Sequence, residues 1–274
     1  MAAGTADFVE ERATMLATLY ARAQDFHSAN PILNDRHAAE VLTRLDVDGA
    51  STGVRQGDTI GIAMRGRYLD DCVREFLRDN EGAIVLNLGC GLDSRMYRLE
   101  VAAPVRWYDV DFPEVVTFRQ NLLSTQQHQT LIPESVEDMS WLKDLPRGRP
   151  VMVIAEGLTM YVSPRTVVTM LRDIAEWFHH GEVVFDAFSR WAVRRQRASA
   201  IVKNSNSTLK WAIDDPRELT EEVPQLRFRS VVSSFAVPKG VQLPLKTRAL
   251  LATIRGIPRV RRMVRIYRYR FGEN

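Results

Sequence analysis

Short apolar runs alternate with amphipathic stretches through the middle of the chain. Five runs have the composition of buried strands: residues 83–88, 105–110, 129–133, 150–155 and 182–187. The stretches between them carry apolar residues at helical spacing: 93–99, 113–126, 138–145 and 164–179. Strands that alternate with helices in this way predict an α/β fold with a doubly wound parallel sheet.

The pattern changes on both sides of this alternating region. Before it we predict three amphipathic helices, at residues 6–29, 35–45 and 58–79. After it we predict a basic helix at 189–204, a short helix starting at 215, and two strands at 226–235 and 263–271. We therefore divide the chain, within one structural domain, into a helical lid (1–80), a sheet core (81–188), an α-helical cap insertion (189–224) and C-terminal strands that complete the sheet (225–274).

The first apolar run ends abruptly in glycines. Residues 84–88 are followed by Gly89, Cys90 and Gly91, and helix-compatible residues come next. Glycine allows the backbone to pass close to a ligand, and a new helix offers unpaired N–H groups. A strand that turns into a helix through Gly-x-Gly is typical of a Rossmann-like nucleotide-binding corner. We expect all three residues to contact a nucleotide.

Two acidic residues end the next apolar run. Asp111 follows Gly91 at the distance at which βαβ units hold a ribose, roughly 20 residues past the glycines. Asp109 lies two residues earlier and points to the same face of the strand. We expect Asp111 to bind the ribose and Asp109 to have a positional role.

The positions after the glycines favour one class of nucleotide. A pyrophosphate usually requires a third glycine, and here that position is Ser94, preceded by Asp93. A carboxylate at the helix start repels phosphate and attracts a cation. S-adenosylmethionine (SAM) has a ribose, a sulfonium and no phosphate, so these residues favour SAM over NAD(P).

Another apolar run also ends in an acid. Residues 150–155 are followed by Glu156, and further on Ser163 and Pro164 are typical of the cap and first turn of a helix. Ligands of an open parallel sheet lie beyond the carboxyl ends of its strands. We therefore expect the glycine corner, Asp111 and Glu156 to meet in one crevice.

Three motifs occur in the order and spacing of a known family. They are the glycine run 85–95, the acidic run 109–115 and the run 155–161. Together they resemble the leucine carboxyl methyltransferase family, and within it the bacterial polyketide O-methyltransferases of the tetracenomycin type. The resemblance covers most of the chain and implies a class I SAM-dependent methyltransferase.

The resemblance also implies roles outside these motifs. The family has an arginine at the position of Arg65 that pairs with the cofactor carboxylate, and its planar fork suits that task. Arg67 is the alternative. Relatives often contact the adenine through an aspartate shortly before the position of Trp141, where this chain has Ser135. We expect the Ser135 hydroxyl or the backbone of Val136 to make that contact.

The methyl acceptor is less well defined by the sequence. A carboxylate acceptor needs no general base, whereas a phenol or alcohol needs one. Tyr161 is our candidate for positioning the acceptor, although an aromatic residue there is equally expected in the core. We predict O-methylation of a carboxylate or hydroxyl on a small, polyketide-like secondary metabolite. A protein C-terminal carboxyl methyltransferase, an NAD(P)-dependent oxidoreductase and a non-catalytic binding protein stay open.

The composition of the chain bears on where the protein is located and on whether it binds a metal. The chain has 274 residues and a formal net charge of +3. No apolar run approaches the roughly 18 residues that a membrane span requires. With no visible secretory signal and only Cys72 and Cys90, we expect a cytoplasmic protein without a disulfide framework. The histidines lack metal-ligand spacing, so we expect no metal.

The C-terminal segment is basic. From Lys239 to Asn274 there are ten Lys or Arg and one acid, Glu273. Such a tail is compatible with binding to nucleic acid or an anionic substrate. However, residues 263–271 alternate like a strand, so we favour a strand and expect no nucleic-acid partner. The oligomeric state stays open.

Overall fold

Seven strands form one mixed sheet at the centre of the protein. The structure is a computed structural model that describes residues 3–45, 47–101, 103–195 and 208–272. Its strands are β1 (Ile84–Leu88), β2 (Arg106–Asp111), β3 (Gln129–Pro133), β4 (Val151–Ala155), β5 (Gly181–Phe188), β6 (Leu226–Ser233) and β7 (Val264–Phe271). They lie in the order β3-β2-β1-β4-β5-β7-β6; the first five pair in parallel, and β7 is antiparallel to both β5 and β6. The predicted α/β fold is confirmed.

Helices cover both faces of this sheet. They are α1 (Ala3–Phe26), α2 (Arg36–Thr43), α3 (Gln56–Asp79), α4 (Arg95–Arg98), α5 (Pro113–Gln120), α6 (Pro164–Phe178), α7 (Arg190–Val193), α8 (Arg217–Glu222), α9 (Leu245–Gly256) and α10 (Pro258–Arg261), with a 3₁₀ helix at Met139–Asp144. The helix α6 packs on one face and α3 on the other. No helix within the described residues combines the length and the apolar content needed to cross a bilayer.

The burial of the strands explains the sequence pattern. Every residue of β1 and β4 is buried, because central parallel strands are covered on both faces. In β7, Tyr267 and Tyr269 stack on Phe185 of β5, with ring centroids 5.6 and 5.9 Å apart. Arg268 between them pairs with Glu75 of α3 on the other face. The strand-like alternation predicted for 263–271 is therefore confirmed.

Some helix boundaries differ from the predictions, because backbone geometry overrides the pattern. The helix α2 begins at Arg36 with Asp35 as its cap, since Asn34 has a left-handed backbone with φ 59°. The helix expected at 93–99 begins only at Arg95, after a turn. The helix expected at 113–126 already ends at Gln120.

The cap insertion is only partly helical in the residues described. Of the basic helix expected at 189–204, the first turn is present as α7, and residues 196–207 lie outside the described part of the chain. After them, the N–H groups of Lys210 and Trp211 donate to the carbonyl of Met160 (2.7 and 3.3 Å). The insertion is thus tied to the turn that follows β4.

The lid reaches the carboxyl ends of the strands. The helix α1 packs against α2 and α3. Asp25, near the end of α1, accepts hydrogen bonds from the N–H groups of Ile32 and Leu33 (2.9 and 2.8 Å), which fixes the turn toward α2. Earlier in α1, the side chain of Met15 lies 3.3 Å from where a Cβ on Gly91 would be. The first helix therefore lies directly over the glycine corner.

Candidate active site

The glycine corner after β1 pairs most of its own N–H groups. Those of Gly89 and Cys90 donate to the Val110 carbonyl (2.8 and 3.2 Å), and that of Gly91 donates to the Asp111 carboxylate (2.7 Å). Two N–H groups further along the turn also have acceptors within the protein. The three N–H groups of the glycine corner itself are therefore not free. Little of its hydrogen-bonding capacity is left for a phosphate.

Asp111 ends β2 beside this corner. Its carboxylate accepts hydrogen bonds from the N–H groups of Gly91 and Phe112 (2.7 and 2.9 Å). The side chain keeps some exposure, yet burial raises the pKa of Asp111 to about 6, because it outweighs the stabilisation by these two donors. Without a salt bridge to any described residue, the carboxylate keeps lone pairs for further donors such as ribose hydroxyls.

Asp109 is used differently, although it lies on the same strand. Its carboxylate accepts hydrogen bonds from Asn87 (2.8 Å) and from the indole of Trp107 (2.9 Å). It also forms a salt bridge with Arg119 (3.2 Å), and both charged side chains are almost fully buried. Its oxygens are engaged inside the protein, which agrees with the positional role expected for Asp109.

Glu156, after β4, is surrounded by arginines. Arg22 of α1 and Arg65 of α3 both contact its Oε1 at 3.0 Å, and Arg95 contacts its Oε2 at 2.5 Å. Burial opposes ionisation, but these guanidiniums outweigh it and hold the pKa of Glu156 well below its usual range. Arg65 also pairs with Asp186, at the end of β5 (2.8 Å). The structure thus places Arg65 between two carboxylates.

Asp93 belongs to the same cluster of charges. It pairs with Arg22, Arg95 and Arg98 at 2.9, 2.6 and 3.1 Å. Burial raises the pKa of its carboxyl, but the three guanidiniums together lower it below its usual range. The premise that Asp93 presents an uncompensated negative charge to a ligand is therefore wrong.

The complete cluster, which we call the site network, joins four guanidiniums and five carboxylates. Its members are Arg22, Arg65, Arg95, Arg98, Asp35, Asp70, Asp93, Glu156 and Asp186. With every group ionised it has one more negative than positive charge. A ligand with a net positive charge, such as SAM, complements this balance better than a pyrophosphate does.

Several members of the site network were not identified from the sequence, among them Asp186 and Arg22. Asp186 is fully buried; it pairs with Arg65 and also accepts a hydrogen bond from the N–H of Gly157 (2.6 Å). Like Asp111, it lies near the end of a strand, and this position could have identified it from the sequence. Arg22 is buried, and its Nε has no hydrogen-bond partner among the described residues. It lies in a long helix without any local motif.

The residues expected near the adenine lie after β3, at the same edge of the sheet. The Ser135 hydroxyl accepts a hydrogen bond from the N–H of Glu137 (3.1 Å), and its carbonyl accepts one from the Trp141 indole (3.2 Å). Val136 is buried. Arg67, the alternative to Arg65, pairs instead with Asp71 on the exposed side of α3.

Tyr161 lies between the lid and the cap insertion. Burial raises the pKa of its phenol, and the side chain of Thr14 in α1 is a hydrogen-bond partner. Tyr161 also packs against the apolar pair Met160 and Leu209. It is therefore a partly buried, neutral phenol at the junction of α1, the turn after β4 and the end of the insertion.

The thiol and metal chemistry of this region is limited. Cys90 is buried in the glycine corner, and burial raises the pKa of its thiol well above the usual value, so it stays protonated at neutral pH. Within the described residues, no three His, Cys, Asp or Glu side chains are grouped so as to hold a metal ion.

The fold and the site together define a class of protein. The sheet has five parallel strands and an antiparallel seventh strand between β5 and β6. A glycine corner follows β1, a carboxylate suited to a ribose ends β2, and a network of cations and carboxylates suited to an amino-acid end surrounds Glu156. This is the arrangement of a class I SAM-dependent methyltransferase.

Comparison with known proteins identifies the family. The sequence model of the leucine carboxyl methyltransferase family matches residues 13–175. The tetracenomycin polyketide synthesis O-methyltransferase TcmP of Streptomyces glaucescens is 37% identical over 258 residues, 94% of this chain and 96% of that protein. The chain therefore belongs to the leucine carboxyl methyltransferase family, and it is a SAM-dependent methyltransferase.

One further comparison concerns the sequence and another concerns the fold alone. The SAM-dependent methyltransferase dpfgK of Gibberella zeae is 35% identical over 237 residues, 79% of this chain and 80% of that protein. The crystal structure of a DUF574 family protein from Streptomyces avermitilis shares the fold, with a TM-score of 0.59 and 13% identity over 93% of this chain and 96% of that one.

Proposed function

We propose that this protein transfers the methyl group of SAM to a carboxylate or hydroxyl oxygen of a polyketide-like small molecule. The proposal rests on one observation: the glycine corner, Asp111 and Glu156 follow three different strands and lie together beneath α1. The relative named for tetracenomycin polyketide synthesis supports the class of acceptor.

The donor set of this region fits the cofactor. Asp111 has unused lone pairs for the ribose hydroxyls. The buried Arg22 Nε, which lacks a partner among the described residues, and the neighbouring Arg65 suit the methionine carboxylate. We assign Glu156, whose oxygens contact these guanidiniums, to the amino-acid end of the cofactor, and Ser135 or Val136 to the adenine. When bound, SAM supplies a methyl group activated by a positively charged sulfur.

A dinucleotide fits the same region less well. Pyrophosphate sites rely on unpaired N–H groups at a helix start. Here the N–H groups of Gly89, Cys90 and Gly91 already have acceptors, and α4 has only four residues. The paired N–H groups, and not the charge of Asp93, therefore disfavour an NAD(P)-dependent oxidoreductase.

The surroundings of Tyr161 support an apolar acceptor. We propose that the acceptor lies between α1, Tyr161 and the cap insertion, against the apolar cluster that includes Met160 and Leu209. These elements would hold the acceptor oxygen in line with the methyl group and exclude water. Because its pKa is raised, the Tyr161 phenol donates a hydrogen bond at neutral pH and does not act as a base.

The first experiment compares ligands. Thermal unfolding of the purified protein is followed with S-adenosylhomocysteine and, separately, with NADH. We expect stabilisation by the former alone, and selective stabilisation by NADH would overturn the proposal. SAM with a labelled methyl group is then supplied together with an extract of polyketide-producing cells. Label in small organic molecules supports the proposal, whereas label found exclusively in protein favours the protein carboxyl methyltransferase.

Matched variants make this test specific. Asp111→Asn is expected to reduce the transfer strongly when SAM is limiting, while Glu182→Gln, at the opposite end of the sheet, is expected to retain it. Loss of label from the product on mild base treatment identifies an ester and therefore a carboxylate acceptor; stable label identifies an ether. We further propose a cytoplasmic setting, in which the buried thiols Cys72 and Cys90 stay reduced.

A further inference from the structure

The basic C-terminal segment is only partly explained by the sheet. Residues 223–272 contain twelve Lys or Arg and no Asp or Glu. Three of these cations belong to β7: Arg265, Arg268 and Arg270. Six others lie on α9, on α10 or directly after it: Lys246, Arg248, Arg255, Arg259, Arg261 and Arg262. The strand expected from the sequence therefore leaves most of the positive charge without a role.

These six cations are exposed at the surface. None of them forms a salt bridge with a residue that the structure describes. By contrast, Arg229 and Arg268 of the same segment are paired with Glu75 and Glu182. Unpaired like charges repel one another and do not stabilise a fold. Their concentration on two adjoining helices points to an external anionic partner.

Large apolar side chains are exposed on α9 and at the junction between the two helices. Leu245, Leu250 and Ile257 are 78%, 54% and 48% exposed. The helix α9 is held to the protein through Leu251, which packs in a cluster with Met64 of α3. We call these exposed side chains together the α9–α10 face; its residues are Leu245, Leu250, Ile257, Lys246, Arg248, Arg255, Arg259, Arg261 and Arg262.

We propose that the α9–α10 face binds the surface of an anionic lipid bilayer. Helices that lie in a bilayer interface combine Lys and Arg with apolar residues such as Leu, Phe and Trp, and clusters of four to eight cations on such a helix attract anionic headgroups. The cations of this face would contact lipid phosphates, while its three apolar side chains would enter the region between headgroups and acyl chains.

The composition of the face favours lipid over other anionic partners. Nucleic-acid phosphates would bind the cations but would leave three aliphatic side chains in water. Protein interfaces are dominated by Trp, Tyr and Arg, with Leu under-represented at their energetic centres. Residues 236–262 contain no aromatic side chain. A bilayer interface uses both the cations and the aliphatic groups.

The placement of the face connects it to the lid. Leu251 of α9 packs with Met64, and the next residue of α3 is Arg65 of the site network. A bilayer at this face would therefore lie beside the helix that reaches the active site. The proposal does not depend on the identity of the acceptor or of the cofactor.

Vesicle sedimentation of the full-length protein tests the proposal. One set of vesicles contains phosphatidylcholine alone, and the other also contains phosphatidylglycerol. We expect at least about tenfold tighter binding to the second set, with the difference falling as salt is raised. Equal or absent binding to both sets, or binding to an acidic protein or RNA with no binding to anionic vesicles, would overturn it.

Paired variants locate the binding surface. Lys246→Glu combined with Arg248→Glu is expected to weaken binding at least about tenfold. Leu245→Gln combined with Leu250→Gln is also expected to weaken it, without a change in charge. The matched control, Arg106→Glu with Lys143→Glu, changes the same charge at exposed positions outside the segment and should bind like the unaltered protein. If the control and face variants lost the same affinity, the vesicles would be attracted by the net charge of the protein and not by this face, and the assignment would be refuted. Binding of S-adenosylhomocysteine verifies that each variant is folded.

Discussion

Two networks of arginine and carboxylate groups connect the lid helix α3 to the sheet. Near the middle of α3, Arg65 joins the site network through Glu156 and Asp186. Nearer the end of the helix, Glu75 pairs with Arg229 of β6 and Arg268 of β7 (2.9 and 2.7 Å). Glu182 of β5 completes this second cluster, which we call the far network. The two networks lie at opposite ends of β5.

The difference between them lies in how completely the charges are paired. In the far network there are two carboxylates and two guanidiniums, and each group contacts both groups of opposite charge. The site network has an excess carboxylate and a buried guanidinium N–H, Arg22 Nε, without a partner. Incomplete pairing beside a glycine corner indicates where a ligand binds, whereas complete pairing indicates a structural connection.

The largest expected effect comes from removing the centre of the site network. Arg95 is fully buried and contacts Asp70, Asp93 and Glu156 at 2.7, 2.6 and 2.5 Å. Arg95→Met leaves these carboxylates short of a partner, so we expect the free energy of unfolding to fall by about 3–5 kcal/mol. Denaturant unfolding measures this loss.

An exposed arginine provides the control for that change. Arg78 pairs with Asp79 at the surface, and Arg78→Met is expected to alter stability by less than about 1 kcal/mol. If Arg95→Met cost no more than this control, the remaining arginines would be sufficient to neutralise the cluster, and the central position assigned to Arg95 would be wrong.

A second pair of variants separates the two networks by function. Asp186→Asn keeps an acceptor for the Gly157 N–H but removes the charge that faces Arg65. We expect SAM affinity to fall about 10- to 100-fold, because Arg65 loses the charged hydrogen bond that holds it in position for the cofactor carboxylate. Glu182→Gln in the far network should lower stability but change SAM affinity less than about twofold. Calorimetric titration measures both, and equal effects on affinity would remove the distinction between the networks.

The fold could be predicted from the sequence because the patterns that indicate strands and helices are local. Apolar runs of strand length predict β1–β5, strand-like alternation predicts β7, and the glycine corner marks the end of β1. Errors occurred where a single backbone angle decides the boundary. The left-handed Asn34 delays α2, and the turn after Gly91 delays α4.

The site was only partly predictable, because it depends on contacts between distant segments. Asp111 and Glu156 were found from their positions at strand ends. Arg22, by contrast, lies 71 residues from its partner Asp93, and no motif surrounds it. The pairing of the corner N–H groups and the neutralisation of Asp93 are also tertiary features. Sequence spacing located the acids but did not reveal which of them are already satisfied.

A smaller effect is expected from titration at the edge of the site network. The pKa of Asp111 is raised to about 6, and the ionised carboxylate is the better acceptor for ribose hydroxyls. SAM affinity should therefore rise between pH 5 and pH 7 with a midpoint near 6. Asp111→Asn should bind about tenfold more weakly at pH 7 and lose this pH dependence, as measured by titration at several pH values. A flat profile in the unaltered protein would contradict the role of Asp111.

The same shift has the opposite sign for stability. Because the folded-state pKa lies above the ordinary value of 3.8, the folded protein binds the Asp111 proton more tightly than the unfolded chain does. The resulting stabilisation is complete below pH 4 and is lost as the pH rises to about 6. Between these values, the stability of Asp111→Asn relative to the unaltered protein should therefore increase with pH. A relative decrease in thermal unfolding temperature over this range would contradict the raised pKa.

The smallest effect is expected at Tyr161, which lies beside the site network without belonging to it. If its neutral phenol only positions the acceptor, Tyr161→Phe should leave SAM affinity unchanged and lower kcat by less than about tenfold, whereas removal of a general base typically costs about 10²–10⁴-fold. Because burial raises the phenol pKa, the pH profile of kcat near neutrality should keep its shape in the variant. A large loss of kcat together with a changed profile would assign proton transfer to Tyr161 and would favour a hydroxyl acceptor, since a carboxylate needs no base.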